Sequence, residues 1–372
     1  MTETAEDGAG PAGKGRILEI GEIELFSFEM ADRTDAFYTS YRADLRRGRP
    51  YLGVINLWKA VRAAWRGEYD LIVLSPPFYP GWHPRSFLAA LKFTLLRGRI
   101  GEAYGAVVSP LLFQALRFIP LPQPLIALEL TDSFGIARHQ HFLLDKATVF
   151  CKRELPVDHW KTLFGSAHRR LPGRRVRMSR RWQQRVAKLR PIGTGFDQWR
   201  VGEAGAVFGC EKTSDVFFMG DVAANSTARR EAPRLIAQLR EAGFKVDFPD
   251  TRLDYPEYIR RCAQSWITLS PEGFGWECYR HIEAAIAGSV PLVSVPTIHR
   301  YKPLVIGRHC LVYYPDEDNI VEVVRDALSD KARLGAIAQA AHEHAVENLT
   351  TLATARDLLR THGRNRSRAD AN

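Results

Sequence analysis

Between Ser214 and Asn348, short apolar runs alternate with segments whose apolar residues recur every three or four positions. "SDVFFMG" is a continuous apolar run closed by a glycine, the pattern of a buried strand. "STARREAPRLIAQLREAGF" follows, with Ala232, Leu235, Ile236 and Leu239 on one helical face. Ser226 or Thr227 can cap that helix and Gly243 can end it. The alternation continues through strands at "KVDFP", "SWITLSP", "VPLVSV" and "HCLVYYP". Helices are expected at "YPEYIRRCAQ", "ECYRHIEAAIAG", "NIVEVVRDALSD" and the Ala-rich run to Asn348.

The first half repeats the rhythm less cleanly. "RILEI" and "IELFSF" read as strands, and "LWKAVRAAWRGEYD" as a helix leading into the strand "LIVLSPP". "PLIALELTD" and "ATVFCKRE" are later strands. The most apolar long stretch, "GAVVSPLLFQALRFIPLPQPLIALEL", contains Arg117 and four prolines. It reads as two strands and a short helix rather than a membrane span.

Strands alternating with helices predict βαβ units, hence parallel sheets covered on both faces. Pro191, Gly193 and Gly195 interrupt the pattern at "LRPIGTGFDQW". The expected architecture is α/β, with two Rossmann-like parallel-sheet domains facing a cleft. The N-terminal domain would span 16–192 and the C-terminal domain 193–348, with a last helix over 349–362 packing back across the boundary. The polar ends, 1–15 and 363–372, cannot bury enough apolar surface to order and are expected to be disordered.

Charge and cysteine content narrow the chemistry. The 372 residues carry a formal charge of +10, much of it in "HRRLPGRRVRMSRRWQQRVAKLR", residues 168–190. That run suits a solvated face, an anionic membrane surface or nucleic acid. No nucleic-acid motif accompanies it, which disfavours the last. The apolar-basic stretch "FLAALKFTLLRGRIG" favours peripheral contact with an anionic membrane. The first residues carry acids and no apolar core of a signal peptide, so a cytoplasmic protein is expected, peripheral at the inner face of the membrane. Cys151, Cys210, Cys262, Cys278 and Cys310 are far apart and odd in number, against a zinc site or disulfide framework. His139 and His141 fall on different helix faces, and "PDTRLD" and "PDEDN" read as loops. No metal or other cofactor is expected.

Ligands of such sheets sit beyond the carboxyl ends of strands, near helix N-termini. "LSPEGFGWECYRHIEAAIAGSVPLVS", residues 269–294, is such a place. Gly273 and Gly275 can take positive φ and admit a ligand close to the backbone. A helix starting near Trp276 would aim its N–H groups and dipole at an anion such as a diphosphate. Cys278, Ile282, Ala285 and Ile286 form its buried stripe. Tyr279, Arg280 and Glu283 take another face, with Arg280 and Glu283 three apart. Those two either pair with each other or serve a ligand, Arg280 neutralising phosphate and Glu283 accepting a ribose diol.

Strand, Gly-rich turn, Arg, "EA", "AG" and "PL" together resemble the donor-site segment of GT-B glycosyltransferases. The style is that of the exostosin-like and group 1 C-terminal domains. "SDVFFMGD" is similar to the strand and glycine that open that domain, and "LRPIGTGFDQW" resembles its interdomain segment. The likeness covers roughly 190–330. It implies transfer of a sugar from a nucleotide-diphosphate sugar to a hydroxyl acceptor on a glycan, a lipid-linked sugar or a small molecule. It implies that Glu283 binds ribose, and that Arg280 and the turn at Gly273, Phe274 and Gly275 contact the diphosphate or sugar, with Tyr279 and Gly220 nearby. Retaining members often carry a Glu eight positions before the ribose Glu. Here that position is Gly275, with Glu272 and Glu277 the nearest acids, which leans toward inversion.

An inverting enzyme needs a base for the acceptor hydroxyl. Asp132, after the strand in "LELTDSFG", is the first candidate; it could equally cap the next segment. His83, beyond "LIVLSPP", is the second, or a plain loop histidine. Lys152 and Arg153, after "ATVF", could balance the diphosphate or mark a solvated strand end. The rival readings are a nucleotide-sugar epimerase or hydrolase of the same fold, and a non-catalytic basic binding protein.

Overall fold

The computed structural model describes residues 15–40, 48–97, 100–122, 124–166, 179–222, 226–315 and 317–363. The ends expected to be disordered lie outside the described residues, apart from Gly15 and Gly363, as does 168–178 of the basic run.

Two sheets form. In the first the strands are β1 (Arg16–Gly21), β2 (Thr34–Tyr38), β3 (Tyr69–Ser75), β4 (Leu125–Glu129), β5 (Val149–Lys152) and β6 (Leu189–Pro191), in the order β2-β1-β3-β4-β5-β6. In the second they are β7 (Ser214–Phe217), β8 (Val246–Asp247), β9 (Ser265–Ser270), β10 (Val290–Ser294) and β11 (Leu311–Tyr313), in the order β11-β10-β9-β7-β8. Pairing is parallel in both, as buried runs such as "YDLIVLS" and "VPLVS" demand.

Helices fill the intervals. They are α1 (Phe26–Glu29), α2 (Val54–Trp65), α3 (Pro84–Arg97), α4 (Ile100–Ala115), α5 (His141–Lys146), α6 (Arg180–Ala187) and α7 (Gln198–Ala206). After β7 come α8 (Thr227–Glu241), α9 (Tyr255–Ala263), α10 (Tyr279–Ile286), α11 (Ile320–Ser329), α12 (Lys331–Asn348) and α13 (Thr351–His362). Ser226 caps α8 by accepting the Arg229 N–H, and Gly243 follows its end at φ +91°.

Two local expectations are overturned. "IELFSF" is not a strand, because Phe26–Glu29 turns into α1. The cause is Glu19 of β1, whose buried carboxylate accepts the N–H groups of Leu25, Phe26 and Ser27 and so fixes a helix start. The apolar stretch from Gly105 to Leu130 holds no pair of strands. It gives the second half of α4, which runs through Pro110, and then β4.

Packing divides the chain into two compact units. One holds residues up to Leu128, Phe142–Val149 and those from Leu359; the other holds Glu129–His141 and Phe150–Leu358. In the second unit the β7 side chains alternate between two cores. Val216 and Phe218 join Leu235, Ile236 and Val324 on one face, and Phe217 joins Tyr258, Ile282 and Ile286 on the other.

Candidate functional site

In the second sheet the chain passes from β7 outward to β8, then back across β7 to β9. The gap between β7 and β9 is therefore a topological switch point, where the two following turns part and leave a crevice. A cavity of about 1000 Å³ opens there. It is lined by Met219–Val222 after β7, Phe248–Leu253 after β8, and the turn and first residues of α10 after β9. Asp132, Arg153, Thr194, Arg200, Arg229, Tyr255 and Tyr258 complete the wall.

The turn after β9 is built by side chains of the protein itself. Neither Gly273 nor Gly275 takes a positive φ, contrary to expectation. Their need for glycine is close approach. A Cβ on Gly273 would lie 2.5 Å from an Arg229 guanidinium nitrogen, and one on Gly275 2.4 Å from the Glu154 carboxyl group. Glu154, fully buried, accepts the N–H groups of Trp276 and Glu277, and the Gly273 N–H goes to the Gly275 carbonyl. Three turn amides expected to face an anion are thus already used. The helix also begins later than expected, at Tyr279 with Cys278 as its N-cap, and is buried on all sides from Arg280 to Ile286.

Positive charge at the cavity comes instead from guanidinium groups. Arg280 lies across Phe218, 5.1 Å from the ring, and donates to the Met219 carbonyl at 3.1 Å. Gly220 makes room for it, since a Cβ there would come within 2.7 Å of the Arg280 guanidinium. Burial and then the charge of Arg280 lower the pKa of Arg229, whose buried Nε has no hydrogen-bond partner among the described residues. Arg200 sits among the rings of Trp199 and Tyr279, 5.1 and 5.0 Å away, and its Nε is likewise unpartnered. Two like charges held side by side favour an anion between them.

Carboxylates face these cations. Glu283 does not pair with Arg280 by a direct ion bridge; it accepts the Tyr258 hydroxyl at 2.8 Å, and burial raises its pKa. Glu277 accepts the Thr194 N–H at 3.0 Å, and burial pushes its carboxyl up to about 7. Beside it, burial opposes ionisation of the Cys278 thiol, but His281, 3.7 Å from Sγ, and then Arg280 and Arg229 outweigh burial and bring it down to about 5. Among the described residues no group of three His, Cys, Asp or Glu is arranged to hold a metal.

The chain matches no protein-family model and, in sequence, no curated protein. Solved structures do match it. An alpha-glucosyltransferase in complex with UDP and a 13-mer DNA containing an HMU base is 10% identical over 94% of this chain and 99% of that one, with a TM-score of 0.50. The Anabaena protein HepE in complex with UDP is 14% identical over 93% and 99%, with a TM-score of 0.47. A sucrose-phosphate synthase from Thermosynechococcus elongatus is 13% identical over 96% and 100%, also at 0.47. The fold is that of the GT-B glycosyltransferases.

Within this GT-B chain the residues singled out from sequence separate into two groups. Gly220, Gly273, Phe274, Gly275, Tyr279, Arg280, Glu283, Arg153 and Asp132 all line the one cavity. Asp132, half exposed, is ion-paired with Arg153. Lys152 is absent from the lining; it is fully buried and paired with Glu129. His83 is also absent from it. It stacks on Tyr79 before α3 and accepts the Arg85 N–H at 3.2 Å. Arg200, Arg229, Tyr258 and Glu154 were not singled out, and Glu277 was named only as an acid near the turn. The "ST-x-R" start of α8 is the one local signal that could have found Arg229, since a cap places the next residues at a strand end.

Proposed function

We propose that this chain is a glycosyltransferase that takes a nucleoside-diphosphate sugar into the cavity at β7–β9 and passes the sugar to a hydroxyl acceptor. The observation that carries the reading is the pairing of Arg229 and Arg280 at the switch point, with Glu283 held by Tyr258 on the same wall. The guanidinium groups would balance the charge that builds on the leaving diphosphate, and Glu283 would accept the ribose hydroxyls. No metal is needed for that balance.

On this reading the transfer inverts the anomeric carbon. The acceptor oxygen attacks the anomeric carbon as its bond to the diphosphate oxygen breaks, and a carboxylate takes the acceptor proton. Asp132 is the proposed base, ion-paired with Arg153 on the wall of the same cavity. We propose further a peripheral enzyme at an anionic membrane, acting on a glycan or lipid-linked hydroxyl. No helix among the described residues is long and apolar enough to cross a membrane.

The test is thermal stabilisation by UDP, GDP, ADP, CDP and dTDP and their sugars, with and without EDTA. UDP comes first because the alpha-glucosyltransferase of like fold was solved with it. One nucleotide should raise the melting temperature by several degrees in either condition. The response should vanish in Glu283→Ala and Arg280→Ala. No response to any nucleotide would overturn the reading.

A further inference from the structure

α3 gives almost nothing to the interior. Of its described side chains only Ser86 is buried, while Phe87, Leu88, Leu91 and Leu95 are 54%, 65%, 55% and 71% exposed. With 3.6 residues per turn, these four fall within one arc of about 100°, and Lys92 and Arg85 border it. Phe78 and Trp82, half exposed, precede the helix, and Ile100, 74% exposed, opens α4 directly after it. Apolar surface of that extent on one helix marks an interaction site.

Charge decides what covers it. Between Asp70 and Glu102 the sequence contains no acid, but it holds Arg85, Lys92, Arg97 and Arg99. A second copy of the chain in a two-fold arrangement would set Arg85 and Lys92 against themselves, with no acid on the helix to offset the repulsion. Nucleic acid would use the cations and leave the apolar ridge without a role. An anionic lipid surface uses both, because headgroups take the cations and the acyl boundary takes the ridge.

We infer that α3 lies flat on an anionic bilayer, with Phe87, Leu88, Leu91 and Leu95 inserted at the acyl boundary and Arg85 and Lys92 at the headgroups. The inference rests on the reading of a peripheral enzyme for its setting, and nucleotide binding is measured separately from it.

The test is flotation of the full chain with vesicles of phosphatidylcholine, with and without phosphatidylglycerol, at low and high salt. Binding should need phosphatidylglycerol and weaken with salt. Leu88→Glu/Leu91→Glu should reduce it about tenfold or more, and Arg85→Gln/Lys92→Gln should remove the preference for anionic lipid. Because these side chains are exposed, the variants should keep the wild-type melting temperature and nucleotide response, so failure here and failure of the transferase reading are separable. The inference is overturned if the wild type ignores anionic vesicles. It is also overturned if Leu88→Glu/Leu91→Glu binds as tightly as wild type, or if the face instead holds a dimer that those changes dissolve.

Discussion

The Glu154 carboxylate accepts two consecutive backbone amides, Trp276 at 2.9 Å and Glu277 at 3.1 Å. One side chain after β5 therefore fixes the turn that shapes the cavity floor. Glu154→Ala leaves two N–H groups without their acceptor and should cost about 2–5 kcal/mol by urea denaturation. Glu154→Gln should cost less, since its carbonyl oxygen can still accept one of them.

Lys152 and Glu129 form a buried ion pair, and Glu129 also accepts the Thr131 N–H. Lys152→Met strands a buried carboxylate and should cost about 3–5 kcal/mol, with most recovered in Lys152→Met/Glu129→Leu. If Lys152 served the diphosphate instead, Lys152→Met would weaken nucleotide binding and leave stability alone.

Cys278 should react faster than Cys151, Cys262 and Cys310. Its thiol is held down to about 5 beside His281, whereas burial pushes Cys151, Cys262 and Cys310 up to about 12, 12 and 11. At neutral pH, iodoacetamide should label the Cys278 peptide at least about ten times faster than those three, read by mass spectrometry. A bound nucleotide should slow that labelling, because Cys278 lines the cavity.

Glu277 ties stability to pH. Its folded carboxyl titrates near 7 against an ordinary 4.5, so between those values the folded chain keeps a proton that the unfolded chain has lost. The contribution is complete below about 4.5 and drains away as pH rises to about 7. Glu277→Gln should flatten the decline across that window, by up to about 1.4 kcal/mol per pH unit. An unchanged slope in Glu277→Gln would mean that the pH dependence comes from other carboxyls, such as the buried Glu283 and Glu154.

Much of the fold is legible in the sequence because a strand buried on both faces must be apolar through its centre, as "YDLIVLS" and "VPLVS" are at Leu71–Leu74 and Val290–Val293. Where that logic fails, the cause lies elsewhere in the chain. "IELFSF" looks like a strand until Glu19 supplies its carboxylate to Leu25, Phe26 and Ser27. The stretch after Gly105 has only Ser109, Gln114 and Arg117 as polar positions before Pro120, too few to reveal a helical period. The same division holds at the site. Arg280 and Glu283 sit three apart on one helix, so spacing alone sets them together. Arg200, Arg229 and Tyr258 reach the cavity from other elements and Glu154 supports its turn from behind; apart from the capped start of α8 before Arg229, no local pattern announces them. The glycines mislead in an instructive way, because the space they keep open is for Arg229 and Glu154.

Gly220 and Arg280 share one volume, 60 positions apart in the chain. A Cβ at 220 would come within 2.7 Å of the guanidinium and force it to shift on its seat over Phe218. The seat of one of the two guanidinium groups at the switch point is thus set by a residue on another strand end, with no charge or hydrogen-bonding side chain of its own.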